Sequence, residues 1–437
     1  MSGNPENDVA EQQREYRDSN RLLKMPSTQA PSHARTQLDL FEARVGPDDT
    51  TFKKAKDFLE TRIWLWVWHY LKSRFGGRYE FQDYEAGADD RGIYPLDPPA
   101  GSDGPVTKVS MTGDWASGTR DAQEIGLAMA NGDPDFTIHL GDIYYVGTKK
   151  EIWENMLGGM TRWPQGARGS FALNANHEMY ARGKAYFKHL LPRLGMREHP
   201  GGDSQGQKAS FFCLRNDHWL IIGLDTGYYS VGIPIIEKIF KPSCRQHAKI
   251  LKWLRDDVHL GDDRQRGVIL LSHHQYYSQF EGYFERSAKQ LSQLLDRPAL
   301  WFWGHEHRLA IYGKHATRAG VLEAFGRCLG HGGLPIEDIV DDPKSAANHQ
   351  VGLVLYDRRK KKVIGSDDTP VGYNGYADLL FDGNRLKVEY RDAENLLVSE
   401  EWEVDGQGNL RGLGIVKHLD DEDMVVHEGA SLEEAQK

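Results

Sequence analysis

The sequence has 437 residues, with 54 Lys or Arg against 64 Asp or Glu and a formal net charge of −10. This balance argues against a protein held on nucleic acid by phosphate contacts, and we interpret the longest basic run, Arg358–Lys362, as a solvated hairpin turn. Three widely separated cysteines and no apolar segment after the start methionine favour a reduced, cytoplasmic protein, without a disulfide framework or a signal peptide. No stretch is long and apolar enough to span a bilayer.

The first 105 residues are predicted to form two segments that precede the strands with polar ends. Residues 1–50 are polar and are predicted to be a disordered tail, because they carry few large apolar groups. Residues 51–105 are predicted to form a tryptophan-rich helix, ending near Gly76-Gly77, and a proline-rich linker. The tryptophan cluster has two interpretations, a helix docked on the core, which we favour, and a membrane-interface face.

Five short apolar segments that follow are predicted strands, and each of them runs into an Asp, an Asn or a His. Helical stretches separate them, and alternation of strand and helix at this spacing is typical of βαβ units. Ligands in open α/β sheets bind outside the carboxyl ends of the strands, so these polar residues are predicted to converge on one rim. The strand ends carry Gly113-Asp114, Gly141-Asp142, Asn174-Ala175-Asn176-His177-Glu178, Ser272-His273-His274 and Gly304-His305-Glu306-His307.

Two further strands, Phe211–Arg215 and Trp219–Leu224, are predicted around a turn, and Asp225-Thr226 after them is interpreted as loop bracing rather than as a metal site. Beyond His307 the pattern predicts a run of antiparallel strands that forms a second sheet packed on the first. The predicted catalytic domain therefore covers residues 106–392, and residues 393–437 are predicted to be an extension with an acidic tail.

The polar residues at the strand ends are oxygen and nitrogen donors without any cysteine, a mixture that suits Mn, Fe or Zn. A single Asp after a strand is usually a helix cap, and a single buried His is usually a core residue. These explanations do not account for the whole set, because all five strand ends carry residues of the types that bind metals. Six or more ligands exceed the need of one ion, and two ions bridged by a carboxylate can clamp both oxygens of an in-line displacement.

The motifs resemble those of the calcineurin-like metallophosphoesterases, and most closely those of the purple acid phosphatase branch. Gly113-Asp114, Gly141-Asp142-x-x-Tyr145, Asn176-His177-Glu178, His273 and Gly304-His305-x-His307 occur in the family's order. Most of the superfamily has a His two residues after the first Asp, where this chain has Ala116. The purple acid phosphatases also lack that His and use the Tyr that Tyr145 matches.

The resemblance implies an α/β fold of two mixed sheets packed face to face, with helices outside. It implies two metal ions, Fe with Fe, Mn or Zn, and hydrolysis of phosphate esters by a metal-bound hydroxide. His177 would be the general acid or oxyanion partner, and Glu178 would orient it. The implied metal ligands are Asp114, Tyr145 and His307 for the first ion, Asn176, His273 and His305 for the second, and Asp142 between them.

Two positions near the implied ligands need separate interpretation in this chain. Adjacent residues of a strand point to opposite sides, so only one of His273 and His274 is expected to face the ions, which leaves His274 for the phosphate or an outer position. Ala175 replaces the family's usual Gly before Asn176, which requires a backbone torsion that a side chain tolerates.

The predicted partner is a phosphorylated small-molecule substrate, with no nucleic acid, and monoesters, diesters and nucleotide anhydrides all stay open. Two alternatives remain. One is a non-catalytic metallo-scaffold of the same fold that binds a protein partner. The other is a peripheral membrane enzyme acting on phospholipid head groups through the tryptophan-rich helix.

Overall fold

Two large mixed β-sheets make up most of the computed structural model, which describes residues 77–84, 89–98, 106–158, 161–199, 201–231, 242–334, 336, 351–362 and 370–426. The helices are α1 Arg120–Asn131, α2 Lys149–Ile152, α3 Asn176–Tyr180, α4 Ala248–Asp256 and α5 Glu285–Leu291, with π-helical turns at Trp153–Leu157 and Tyr186–Leu190 and a 3-10 turn at Leu191–Arg193. The strands are β1 Ile93–Pro95, β2 Thr107–Thr112, β3 Phe136–His139, β4 Gly169–Ala172, β5 Gly195–Met196, β6 Phe212–Arg215, β7 Trp219–Gly223, β8 Gly267–Ser272, β9 Ala299–Trp303, β10 Leu309–His315, β11 Ala324–Leu329, β12 Leu353–Asp357, β13 Lys360–Lys362, β14 Pro370–Gly372, β15 Tyr376–Asp382, β16 Arg385–Arg391, β17 Leu396–Val404, β18 Leu410–Lys417 and β19 Met424–Val426.

Sheet 1 has the strand order β1-β6-β7-β8-β9-β11-β10-β12-β19, and sheet 2 has the order β18-β17-β16-β15-β2-β3-β4-β5. The strands β7, β8 and β9 are parallel in sheet 1, and β2, β3 and β4 are parallel in sheet 2. Helical segments connect these parallel neighbours, as crossover connections require. The five predicted ligand strands are therefore divided between the two sheets, three in sheet 2 and two in sheet 1.

The strands alternate their side chains between a central core and two outer cores. Ile269 and Leu271 of β8 lie in the core between the sheets, whereas Val268 and Leu270 pack in the outer core that contains α4 and α5. A third cluster packs α1 and the segment after β3 on the outside of sheet 2. Helices outside two facing sheets are the α/β sandwich that the resemblance implied, so the predicted fold class is confirmed.

The strands after His307 do not form a separate second sheet, and that part of the prediction is wrong. Strands β10, β11 and β12 complete sheet 1, whereas β15 to β18 extend sheet 2 through β2. Alternation of apolar and polar residues indicates a half-buried strand, but it does not indicate which sheet the strand joins. Strand β1 in the predicted linker and strands β17 to β19 beyond residue 392 were not predicted at all. The domain boundaries stay a prediction, and both the N-terminal tail and the tryptophan-rich helix lie outside the described residues.

The basic run at residues 358–362 is not a solvated turn. Arg359 is buried and pairs with Asp357 and Asp392 at 2.9 Å each, and its guanidinium lies over the ring of Tyr373. Lys361 pairs with Asp121 of α1 at 2.8 Å. These basic side chains neutralise acids of the fold. None of the helices among the described residues is long and apolar enough to cross a membrane.

A fully buried ion pair joins the two sheets. Arg327 of β11 donates to both carboxylate oxygens of Glu400 of β17, at 2.8 and 2.6 Å. The hydroxyl of Tyr390 donates to the same carboxylate at 2.6 Å. Removing one partner of such a pair leaves an uncompensated buried charge.

Glu400→Ala is therefore expected to lower the free energy of unfolding by about 3–5 kcal/mol, because Arg327 would keep its charge without a partner. Denaturant unfolding measures the change. Glu403→Ala is the matched control on the same strand, since Glu403 pairs at the surface with Arg411 and an exposed pair contributes less than about 1 kcal/mol. Equal losses in the two variants would contradict the cross-sheet role of Arg327 and Glu400.

Candidate metal centre

The loops that follow β2, β3, β4, β8 and β9 meet where the carboxyl ends of the two sheets face each other. The backbone N–H of Asp114 donates to the carbonyl of Gly141 at 3.0 Å within sheet 2. Two contacts cross between the sheets: the N–H of His305 donates to Asp114 Oδ2 at 2.8 Å, and His273 Nδ1 lies 3.1 Å from the carbonyl of Leu140. The predicted rim therefore exists, but it is the junction of two sheets rather than the edge of one.

Asp114, Asp142 and His273 form the first group of donor atoms, all within 4.8 Å of one another. His307 Nε2 approaches Asp114 Oδ1 at 3.4 Å, and His273 Nε2 approaches Asp142 Oδ2 at 3.3 Å. Burial alone would raise the pKa of Asp142, but the neighbouring His177 and His273 hold this pKa well below its usual range. Asp142 is thus buried among groups that favour its negative charge.

His273, His274 and His305 form the second group, again with donor atoms within 4.8 Å. His273 Nε2 lies 3.1 Å from Asn176 Oδ1 and 3.2 Å from His305 Nδ1. Burial lowers the pKa of His305 to about 4, and burial with the neighbouring His305 and His273 lowers that of His274. Burial opposes the charge of His273 as well, but Asp142 and its hydrogen bond raise this pKa to about 9.

This donor set fits metal ions. It combines carboxylate oxygens, an amide oxygen and imidazole nitrogens around two adjacent points, and it includes no thiol among the described residues. Such a combination suits Mn, Fe or Zn. His273 and Asp142 each contact both halves of the constellation, which is the arrangement that two neighbouring ions with a shared ligand require.

His177 lies beside the donor atoms rather than among them. Its Nδ1 is 2.6 Å from the carbonyl of Tyr145, its backbone N–H donates to Asp142 Oδ1 at 3.2 Å, and its Nε2 is 3.7 Å from Asp142 Oδ2. The carbonyl of Tyr145 therefore orients the ring, and the Nε2 atom faces the site. The prediction that Glu178 orients His177 is not what the structure shows: the carboxylate oxygens of Glu178 are buried and have no hydrogen-bond partner among the described residues.

His274 does not point away from the ligands as the alternation argument expected. The chain turns at the end of β8, so strand geometry no longer applies there, and the ring of His274 lies 4.8 Å from the ring of His305. Its Nδ1 contacts Thr226 Oγ1 at 3.0 Å. The side chain can thus offer only Nε2 to an ion or to a phosphate.

The phenol at the first group belongs to Tyr144. Its hydroxyl donates to Asp114 Oδ1 at 2.6 Å and lies 3.0 Å from His307 Nε2 and 3.5 Å from Asp142 Oδ2. Burial, together with Asp114 and Asp142, raises the pKa of this phenol well above its usual value. The motif spacing predicts Tyr145 for this role, whereas the structure places the neighbouring tyrosine beside Asp114.

Three of the predicted ligands have left-handed backbone conformations, with φ of 59° at Asp114, 71° at Asp142 and 68° at His305. Gly141 makes the close approach possible, because a Cβ there would lie 2.7 Å from Ala175 Cβ and 2.9 Å from His273 Nδ1. Ala175 itself is extended, with φ −136° and ψ −178°, a conformation that any side chain tolerates. The replacement of the family's Gly by Ala175 is therefore harmless in this structure.

Residues outside the predicted set hold the ligand loops. Glu151, the N3 residue of a capping box with Thr148, accepts the backbone N–H of Tyr145 at 2.7 Å and of Val146 at 3.3 Å. Its Thr-x-x-Glu pattern is visible in the sequence, and reading it as a capping box would have found this residue. Asp225 accepts from the side chain of Asn174 at 3.1 and 3.2 Å, which agrees with its interpretation as loop bracing.

A family comparison covers the part of the chain that carries these loops: residues 107–309 match the model of the calcineurin-like phosphoesterases. This part of the chain is therefore similar to that family. The match begins at β2 and ends just after His307, so it includes every predicted ligand of the site. This similarity supports the predicted class of metal-dependent phosphoesterase.

Solved structures resemble this chain only distantly. A purple acid phosphatase, PPD1, from yellow lupin (Lupinus luteus) seeds is 15% identical, with a TM-score of 0.40 over 72% of this chain and 56% of the lupin chain. PhoD is 12% identical, with a TM-score of 0.43 over 72% of this chain and 73% of its own. This chain thus spans little more than half of the lupin enzyme, and similarity this low carries no argument about function. No curated protein sequence matches the chain significantly.

Two buried histidines outside the ligand set are expected to make the stability of the fold depend on pH. Neither ring nitrogen of His139 or His331 has a hydrogen-bond partner among the described residues. Burial lowers the pKa of His139 to about 4 and that of His331 to about 3. Unfolding exposes both rings, and their pKa returns to about 6.5. Between these values the unfolded chain binds protons that the folded chain does not, so stability falls as the pH is lowered.

We expect His139→Phe to reduce this pH dependence, because the aromatic ring can keep its contact with Trp163 without having to take up a proton on unfolding. The slope of unfolding free energy against pH should decrease by up to ~1.4 kcal/mol per pH unit between about pH 6.5 and 4. Urea unfolding of chelator-treated protein at pH 7, 6 and 5 measures it. An unchanged slope would mean that His139 is already protonated in the folded state.

Proposed function

We propose that this protein hydrolyses phosphate esters of small molecules at a site that binds two metal ions. The observation that carries the proposal is that two groups of donor atoms lie side by side and share His273. Asp142 Oδ2 is 3.5 Å from the hydroxyl of Tyr144 on one side and 3.3 Å from His273 Nε2 on the other. A carboxylate in this position suits a ligand shared by both ions.

The first ion would be held by Asp114, Asp142 and His307, with a tyrosine completing the set. The second would be held by Asp142, Asn176, His273 and His305. Two ions bound there would neutralise the phosphate and supply an activated water for in-line displacement.

His177 would carry the proton that the departing alkoxide needs. Its Nδ1 faces the carbonyl oxygen of Tyr145, which can only accept, so Nδ1 is the protonated nitrogen of the neutral ring. Nε2 then takes up the second proton and can donate it toward the site. The contact of Nε2 with Asp142 at 3.7 Å keeps this proton next to the place where phosphate would bind.

The donor set does not distinguish monoesters, diesters and nucleotide anhydrides, which share the same phosphoryl chemistry. A small-molecule substrate in the cytoplasm fits the net charge of −10 better than a nucleic acid does. Iron with iron, manganese or zinc is the proposed pair, because hard oxygen ligands dominate the first group and imidazoles the second.

The test begins with metal analysis of the purified protein and a panel of phosphate monoesters and diesters, for which we expect two ions per chain and metal-dependent turnover. His177→Asn should keep both ions and lose about 10²–10⁴-fold in rate on alkyl phosphates. The loss should be smaller on 4-nitrophenyl phosphate, whose leaving group needs no proton. Asp142→Ala, the control for metal loss, should retain fewer than two ions.

A protein that binds no metal, or one that is loaded and turns over no phosphate ester, would contradict the proposal. A His177→Asn variant with equal losses on both leaving groups would contradict only the acid role of His177.

We further propose that Tyr144, rather than Tyr145, would bind the first ion. A phenolate is a hard anionic ligand that favours ferric iron, and its charge transfer to iron absorbs visible light. Because the hydroxyl of Tyr144 is the one beside Asp114 and His307, Tyr144→Phe should remove the colour of iron-loaded protein. Tyr145→Phe is the matched control and should keep it. Visible absorption spectra of the two iron-loaded variants measure this. Loss of colour only in Tyr145→Phe would support Tyr145, the tyrosine that the motif predicts as the ligand.

A further inference from the structure

The loop after β7, residues Asp225-Thr226-Gly227, contacts two ligand segments that come from different sheets. We infer that this loop, called the brace below, positions Asn176 and His273 relative to each other and so controls the affinity of the second metal site but not of the first. The inference rests on the proposed function, because it concerns one of the two ions proposed there.

The first contact of the brace is with the segment that leads to Asn176. Asp225 is fully buried, and its carboxylate accepts the side-chain amide of Asn174 at 3.1 and 3.2 Å. The hydroxyl of Ser210 and the backbone N–H of Tyr228 also donate to it, at 2.5 and 2.8 Å. Four hydrogen bonds from three groups fix the carboxylate, which in turn fixes Asn174 two residues before the ligand.

Gly227 brings the two backbones together. A Cβ at this position would lie 2.5 Å from the backbone N of Ala175 and from the carbonyl group of Asn174. The brace and the segment of residues 174–175 therefore pack backbone to backbone, with no space for a side chain between them. This contact leaves Asn176 little freedom to move away from the site.

The other contact of the brace is with the end of β8. Thr226 Oγ1 accepts the backbone N–H of His274 at 3.1 Å and lies 3.0 Å from His274 Nδ1. His274 follows His273 directly, so this hydroxyl fixes the backbone that carries the other ligand. Thr226 was not identified from the sequence as contacting the site.

The brace thus spans the gap between sheet 2, which supplies Asn176, and sheet 1, which supplies His273. The two ligand atoms lie 3.1 Å apart, and both are ligands that the proposed function assigns to the second ion. In the described part of the chain, the hydrogen bonds of Asp225 and Thr226 go to these two segments, to Ser210 and to the turn at Tyr228, and none goes to Asp114 or His307. Asp225 and Thr226 are therefore positioning residues for one site.

Outer partners of metal ligands typically contribute 10–100-fold to metal affinity. We expect Asp225→Asn to weaken one of the two sites by this factor, because an amide cannot accept from Asn174, Ser210 and Tyr228 at once. In the double variant with Asn174→Asp, the amide and the carboxylate exchange places, and we expect the affinity to recover at least in part. Zn²⁺ titration of metal-free full-length protein, followed by mass-spectrometric metal counting, measures both sites without using activity.

Thr226→Val tests the brace without touching a buried charge, in case Asp225→Asn does not fold as judged by circular dichroism. It keeps the shape of the side chain and removes the hydroxyl, so one site should again weaken. Thr226→Ser keeps the hydroxyl and should bind like the unchanged protein. Asp378→Asn is the matched control: Asp378 is as buried as Asp225 and also accepts from a serine, Ser110, but it lies on β15.

Selective weakening of one site in Thr226→Val, together with native binding in Thr226→Ser and Asp378→Asn, supports the brace. Two sites of unchanged affinity in Thr226→Val, or equal weakening of both sites, would overturn it. Failure of the unchanged protein to bind two Zn²⁺ ions would contradict the proposed function instead, so the two failures are distinguishable.

Discussion

The structure of this site depends on burying two carboxylates, Asp114 and Asp142, at the junction of two sheets. A carboxylate removed from water is strongly disfavoured unless donors or cations surround it. Asp114 receives the hydroxyl of Tyr144 and the backbone N–H of His305, and Asp142 receives the backbone N–H of His177 and lies against His273. Each donor comes from a different loop, so the charges organise the loops around them. A cation would bind to the same closely spaced carboxylate and imidazole groups.

Neither sheet can build the site alone. Sheet 2 supplies Asp114, Asp142 and Asn176, and sheet 1 supplies the histidines after β8 and β9. The relative position of the sheets therefore sets the distances between ligands, and the interior between them is close-packed and resists sliding. The buried pair of Arg327 and Glu400 adds a directional contact across the same interface. Because the two layers are otherwise joined by apolar contacts, this polar pair favours one alignment of the sheets over others.

Three of the ligands carry backbone strain. Left-handed conformations at Asp114, Asp142 and His305 are sparsely populated for residues with a side chain, and each costs about 1–3 kcal/mol unless neighbouring contacts offset it. The surrounding loops provide those contacts: Gly141 allows close approach of Ala175 and His273, and the brace holds the segment before Asn176. Strain of this kind is typical of sites where side chains must converge more closely than regular strands allow.

The sequence by itself determined the five strands that end in ligands, the order of the ligand types and the α/β class, because the apolar period and the residues after each strand are local properties. It also identified His273, His305 and the two aspartates as residues that meet. Only the tertiary structure decided that Tyr144 rather than Tyr145 reaches Asp114, that a carbonyl rather than Glu178 orients His177, and that the late strands are shared between both sheets. These features depend on the path of loop backbone and on contacts between segments far apart in the chain. A motif counts positions along the chain, and it does not specify which way a side chain turns once the strand has ended.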